Sequence, residues 1–346
     1  MRAILIVILY LSGANAAFAS PLSLKASTSK NPPPRIIRTC CSFGSDVRVT
    51  GIPFLKVSDI SSISSLGKHV YLGNTEENNG IIYTEKGGFI DIGHLRDQAD
   101  WTAYLHQQIQ TAHGEKFGIK LGREGGQKTL EINANNLTSF KDKILLAGKI
   151  AYDLSVWHEI ATFYGASYVP MVPEKYSAFS IEDAYSNLLG VEIGMAALES
   201  PRPFEEAVTF LLKEKLHELG AVSTMDDTFN AMELVRDVWW TRTAKLPSKN
   251  ILLQREFDIE GCLEPWLVND LEHVGETENV ICPPQNTIGG ASLQDYYLLS
   301  IQLNMKFPVR KLLSKEVKRV ITQKDFNLLI QEAKRKTANQ KSYLGL

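Results

Sequence analysis

The stretch VWHEIATFYG places His158 and Glu159 inside a segment that otherwise reads as a buried helix. From Ile144 to Phe163 only Lys149, Asp153, Ser155, His158, Glu159 and Thr162 interrupt the apolar run. A helix apolar on nearly all sides belongs in a core. An imidazole and a carboxylate buried there cost several kcal/mol, roughly, unless each finds a partner. Helical geometry predicts Ser155, Glu159 and Thr162 on one side, with His158 beside Thr162, so one polar stripe should aim at one place. Two further residues qualify to meet that stripe. His94, in DIGHLRDQAD, sits where a short strand runs into a helix, with Asp91, Arg96 and Asp97 around it. Asp183 opens the next helix, IEDAYSNLLG. Two imidazoles and a carboxylate can hold a divalent cation, with His94, His158 and Asp183 as ligands and zinc as the first candidate. Glu159 would then activate a water as general base. Arg96 could bind a substrate carboxylate. Without a metal, Glu159 or Asp97 could pair with a histidine as acid and base.

The helix-borne His-Glu is similar to the first part of the His-Glu-x-x-His motif of zinc metallopeptidases. Thr162 stands where the second histidine would be. IEDAYSNLLG resembles the helix that supplies the third, acidic ligand in the thermolysin-like, or gluzincin, group. Asp183 matches the ligand, Ser186 the serine and Gly190 the glycine, whereas Asn187 replaces an aspartate. The helix order and the gap from Glu159 to Asp183 also match that group. The resemblance covers two short helices and implies a zincin-like arrangement. A bland reading competes with it: after Ser180, Glu182 and Asp183 fit a capped helix start that favours acids. His94 and Asp97 likewise fit a cap and a helix-start acid.

Among the other histidines, His106 and His113 fall on a polar helix flank and His217 in a solvated stretch. His69 and His273 have no acidic or cysteine neighbour at ligand spacing. No Gly-x-Ser-x-Gly elbow is present.

The elements that must position these residues are readable in outline. IIYT and GGFIDI predict a hairpin that leads directly into the His94 helix. KFGIKLGREGGQKTLEINANN predicts a second strand pair around a Gly-rich turn. PFEEAVTFLLKEKLHELG is an amphipathic helix started by Pro and stopped by Gly. DTFNAMELVRDVWW reads as helical, and KHVYLG, ILLQREFDIEG, LEPWLV and YYLLSIQLNMKF read as strands. The fold class is therefore α+β: a mostly helical core with short antiparallel strands beside it.

The chain has 346 residues, 44% hydrophobic and 22% charged, with a formal net charge of -2. That balance gives no electrostatic reason to expect a nucleic-acid partner. MRAILIVILYLSGANAAFAS has the form of a secretory signal peptide over residues 1–19. No later stretch is apolar enough to span a bilayer, so a soluble periplasmic or secreted protein is expected. Residues 20–39 read as a flexible leader, 40–307 as one main domain and 308–346 as a basic helical tail. From Lys306 onward eleven lysines and arginines face three acids, a charge suited to weak membrane-surface contact. Export permits disulfides. Because vicinal cysteines rarely pair well, bridges from Cys40 and Cys41 to Cys262 and Cys282 are expected.

RTCCSFG, DIGHLRDQADW and WHEIATFYG with YSNLLG resemble a family of exported bacterial proteins, domain of unknown function 4056. The similarity runs from about Arg38 to about Lys306. It implies export and a single domain but no activity. Two functions follow from the residues: an exported metal-dependent hydrolase, peptidase-like, acting on a small-molecule or peptide substrate; or a non-catalytic envelope protein that binds a partner or cell-wall component. The second would use a structural His-Glu network and exposed aromatics such as Trp239 and Trp240.

Overall fold

A computed structural model describes Arg38, residues 43–44, 48–49 and 52–56, and residues 59–344 apart from 113–114, 168–173, 244–250, 269–277 and 313–318. The expected signal peptide, nearly all of the leader, Cys40, Cys41, His113 and His273 lie outside the described residues.

The strands β1 (Arg48–Val49) and β2 (Ile52–Lys56) form a small antiparallel pair. The hairpin of β3 (Ile81–Thr84) and β4 (Gly88–Asp91) follows, as IIYT and GGFIDI predict. Its turn can close tightly because Gly88 takes a left-handed φ of 63°, and a Cβ there would lie 2.1 Å from the Trp266 carbonyl oxygen. No loop separates β4 from α1 (Ile92–Thr111): Asp91 ends the strand and caps the helix, accepting from the His94 N–H at 2.9 Å. Next come β5 (Lys116–Arg123), β6 (Gly126–Asn133) and α2 (Phe140–Phe163). They are followed by α3 (Ile181–Glu199), α4 (Phe204–Glu218) and α5 (Met225–Leu234). The chain continues through β7 (Trp240–Thr241), β8 (Ile251–Leu252), β9 (Tyr297–Leu303), β10 (Val320–Thr322) and α6 (Phe326–Leu344).

Helices α1, α2 and α3 pack on one another and form the centre of the α+β fold. Glycines set how close they come. A Cβ on Gly190 would lie 2.1 Å from the Leu95 carbonyl oxygen, and one on Gly148 would lie 2.5 Å from Met195 Sδ. Gly190 is therefore needed here because α3 presses against the backbone of α1. Beside the helices lies a four-stranded antiparallel sheet in the order β10-β9-β6-β5. On β6, Leu130 and Ile132 alternate inward into the same core as Trp157 of α2. The C-terminal segment contributes to this core: Ile321 of β10 and Phe326, Leu329, Ile330 and Ala333 of α6 are buried in it.

Three expectations need correction. KHVYLG and LEPWLV form no strand, apart from a single bridge between Leu263 and Ile281. Trp239 and Trp240 are wholly buried, in a second cluster with Phe43, Phe89 and Met232, so they offer no exposed aromatic surface. The helix ends at Leu234, and the Trp240 indole N–H then donates to the Met232 carbonyl at 2.9 Å. Finally, Cys262 pairs with Cys282, so neither can bridge to Cys40 or Cys41. Their Cα atoms are 4.1 Å apart, because the antiparallel bridge between Leu263 and Ile281 brings the two short segments side by side. Among the described helices, none is long and apolar enough to cross a membrane.

Candidate metal centre

The capping geometry at Asp91 turns the first turn of α1 toward α3. His94 Nδ1 lies 3.3 Å from Asp91 Oδ2 and 3.1 Å from Asp183 Oδ1. Asp91, His94 and Asp183 are buried, and one ligand atom from each falls within 4.8 Å of the others. Ser186, one turn beyond Asp183, accepts the Asp91 backbone N–H at 2.8 Å and locks strand to helix. At the start of α3, Ser180 makes no side-chain cap bond, so Ser180 and Asp183 do not form a capping box. Asp183 faces the imidazole instead.

The charges are unevenly matched. Burial alone would lower the His94 imidazole, but Asp183 and Asp91 outweigh it and raise its pKa well above the usual histidine value. Asp183 is itself raised by burial, against the pull of His94. Glu182, buried beside it, is pushed well up by burial and by Asp183. Neither Glu182 carboxyl oxygen has a hydrogen bond of good geometry, nor does Oδ1 of the buried Asn187 one turn on.

The separations bear on what the cluster can hold. Charge-assisted N–H···O bonds cluster near 2.7–2.9 Å, shorter than both contacts of His94 Nδ1. Ligands bound about 2.0–2.2 Å from one cation sit roughly 3.0–3.6 Å apart. The donor set of one imidazole and two carboxylates fits a divalent ion at home with nitrogen and oxygen, zinc or manganese among them.

His158 and Glu159 are not part of this group of ligand atoms. Neighbouring residues on a helix point about 100° apart, and the two side chains part accordingly. His158 Nδ1 lies 2.8 Å from Glu124 Oε1 and 2.9 Å from Thr162 Oγ1. Its ring remains near the cluster, 6.3 Å from the His94 ring between centroids. Glu159 Oε2 accepts the Phe179 N–H at 2.6 Å. Phe179 has a left-handed φ of 59°, so Glu159 pins the strained turn that launches α3. The expected stripe of Ser155, Glu159 and Thr162 with His158 therefore divides: Thr162 and His158 meet as expected, Glu159 turns to Phe179, and Ser155 donates to the Tyr152 carbonyl at 2.7 Å. Thr162 supports the His158 ring, and His158 and Glu159 do not converge on the Asp91–His94–Asp183 group as a zincin-like pairing would require.

Arg96 is wholly buried and donates to the carbonyls of Glu77 and Gly67 at 2.9 and 2.7 Å and to Asn79 Oδ1 at 3.0 Å. That is an internal tie between loop and helix. Asp97 accepts from Arg38 at 2.5 Å and does not orient the His94 ring. His69 has acidic partners after all, 3.0 Å from Asp100 and 3.5 Å from Glu77, because the loop of residues 67–79 folds over α1. His106 is buried, and burial with Lys143 nearby lowers its pKa to about 4. Two residues that sequence reasoning did not select complete the picture. Asp91 had a signal, standing three positions before His94 at the helix start. Glu124 had none, since only the β5–β6 turn brings it to α2.

Comparison with known families settles the relationship. The model of the family described as "Protein of unknown function (DUF4056)" matches residues 28–269. The chain belongs to this family. The match includes Asp91, His94, Glu124, His158 and Asp183 and ends before β9, short of the extent near Lys306 expected from the sequence. No curated protein and no solved structure matches the chain.

Proposed function

We propose that Asp91, His94 and Asp183 hold one divalent cation, with zinc the first candidate, and that the protein is a metal-dependent hydrolase exported to the periplasm or beyond. One observation carries this reading: two buried carboxylates converge on one imidazole at 3.1 and 3.3 Å, distances that suit the edges of a coordination shell. Binding would relieve the crowding of acids by setting a divalent charge between Asp91 and Asp183, in competition with a proton on His94. Elemental analysis of the purified protein tests it. About one equivalent of metal is expected, lost in Asp183→Asn and His94→Ala. Added zinc at about 100 times its dissociation constant should also stabilise the fold by roughly 2.7 kcal/mol. Wild-type protein that takes up no divalent metal, even after zinc or manganese is added, sinks the proposal.

A second reading has its own support. Asp91 and Asp183 raise His94 well above its usual pKa, so the same three residues could be a metal-free imidazolium clamp joining α1 to α3. The protein would then be a non-catalytic envelope component. The metal analysis separates the two.

A further inference from the structure

We propose that His158, oriented by Glu124, is the acid–base partner of the metal centre and not one of its ligands. The inference rests on the metal reading above and deepens it. The turn between β5 and β6 delivers Glu124 to α2. Gly125 makes that turn possible with a left-handed φ of 64°, and the Trp157 indole N–H holds the Glu124 carbonyl at 3.2 Å. One carboxylate oxygen of Glu124 meets His158 Nδ1 at 2.8 Å, and the other accepts from Lys128 Nζ at 2.9 Å. Glu124 and Lys128 are both buried. With Oε2 taken by the Lys128 ammonium, Oε1 faces Nδ1 as an acceptor, and Thr162 Oγ1, 2.9 Å from the same nitrogen, accepts beside it. The proton of a neutral His158 then resides on Nδ1, and Nε2 is its basic nitrogen. The ring centroids of His158 and His94 lie 6.3 Å apart, which places His158 beside the proposed metal centre.

The chemistry is a hydrolysis of an ester or amide. As a water oxygen adds to the acyl carbon, its proton passes to His158 Nε2. As the bond from that carbon to oxygen or nitrogen breaks, the same proton passes from Nε2 to the leaving group. A bound cation would supply Lewis acidity; Glu124 is a positioning residue that fixes the tautomer.

The competing arrangement is His158 as a ligand through Nε2, with Glu124 as its outer support, a pattern common among metal-bound histidines. Three measurements on the full-length mature protein decide. Elemental analysis should find that His158→Ala keeps its metal while His94→Ala loses it. Imidazole proton–nitrogen spectra should place the His158 proton on Nδ1, and Glu124→Gln should shift that population. Hydrolysis of 4-nitrophenyl acetate and of a fluorogenic peptide by the zinc-loaded protein should fall about a hundredfold or more in His158→Ala, with partial rescue by free imidazole. Metal loss in His158→Ala equal to that in His94→Ala overturns the proposal, as does unchanged turnover of the metal-loaded variant. A zinc-loaded wild type that cleaves neither probe overturns it too. Wild type that binds no metal is a different failure, since it removes the preceding reading first. Should His158→Ala not fold, His158→Asn and Glu124→Gln carry the same comparison.

Discussion

Along α1, His94 faces Asp91 and Asp183, whereas Asp97 and Asp100, less than two turns further on, face Arg38. Both clusters are buried, and both mix acids with a histidine. Their matching differs. Arg38 donates two bonds to Glu77 at 2.7 and 2.9 Å, and the Val70 N–H and Asn79 amide add bonds of 3.0 Å each. Asp100 Oδ2 accepts from Arg38 and from the Leu72 N–H, both at 3.0 Å. That network draws donors from several segments around one guanidinium and reads as structure, although Asp100 Oδ1 and both His69 nitrogens lack a hydrogen bond of good geometry. At the other cluster two aspartates share one imidazole, and Glu182 stands beside them without a hydrogen bond of good geometry. A protein interior tolerates such an excess of acid only where a proton or a cation joins it. The difference separates a clamp from a candidate centre within one helix.

The comparison breaks most sharply through charge removal. Arg38→Met leaves Glu77, Asp97 and Asp100 without their main cation and should destabilise the fold by about 3–5 kcal/mol in urea unfolding. Asp183→Asn, in protein stripped of metal, removes an acid from an over-acidic cluster and should cost less than about 1 kcal/mol or stabilise. Equal large losses in both variants would erase the distinction. Gly190→Ala attacks the close contact of α3 with α1 between the clusters, since its Cβ would lie 2.1 Å from the Leu95 carbonyl oxygen. A loss of about 1–3 kcal/mol is expected, together with weakened metal uptake as α3 moves Asp183 away from α1.

pH sharpens the contrast on the structural side. Burial would raise Glu77, but Arg38, the Val70 N–H and Asn79 outweigh it and hold its pKa at about 2, against the ordinary 4.5. A carboxyl depressed on folding adds stability that is fully present above its unfolded value and lost as the pH falls. The contribution of Glu77 should therefore disappear between about pH 4.5 and 2, and Glu77→Gln should flatten that limb of the stability curve. Asp97 acts in the opposite sense: burial raises it to about 6, against Arg38, so its cost is relieved as the pH falls from 6 toward 3.8. The smallest effect is expected for Glu182→Gln. Burial and Asp183 push its carboxyl well above the ordinary glutamate value, and the amide keeps its size, so glutamine is a close replacement. Thermal unfolding should shift by less than about 1 kcal/mol equivalent at pH 7.

Much of the scaffold was legible along the chain. Short strand runs around Gly-containing turns marked β3 with β4 and β5 with β6, and Pro and Gly bounded α4, whose C-cap Leu219 is followed by Gly220 with a left-handed φ of 72°. Those signals are local. KHVYLG misled because its backbone N–H groups bond to side chains, Val70 to Glu77 and Tyr71 to Glu205, and so leave no ladder. Trp239 and Trp240 misled because nothing in a short aromatic pair tells which way it packs.

The sequence by itself determined the α+β class, the burial of α2 and the short list of chemically able residues, because periodicity, capping and composition act over neighbouring residues. His94 and Asp183 were selected on those grounds. Only the tertiary structure decided that Asp91 joins them, that His158 turns to Glu124 and that Glu159 turns to the Phe179 N–H. Adjacent side chains on a helix diverge by about 100°, so which partner each meets depends on what packs against that side. The β5–β6 turn, the approach of α3 at Gly190 and the loop folded over α1 are contacts between distant segments, and no local pattern encodes them.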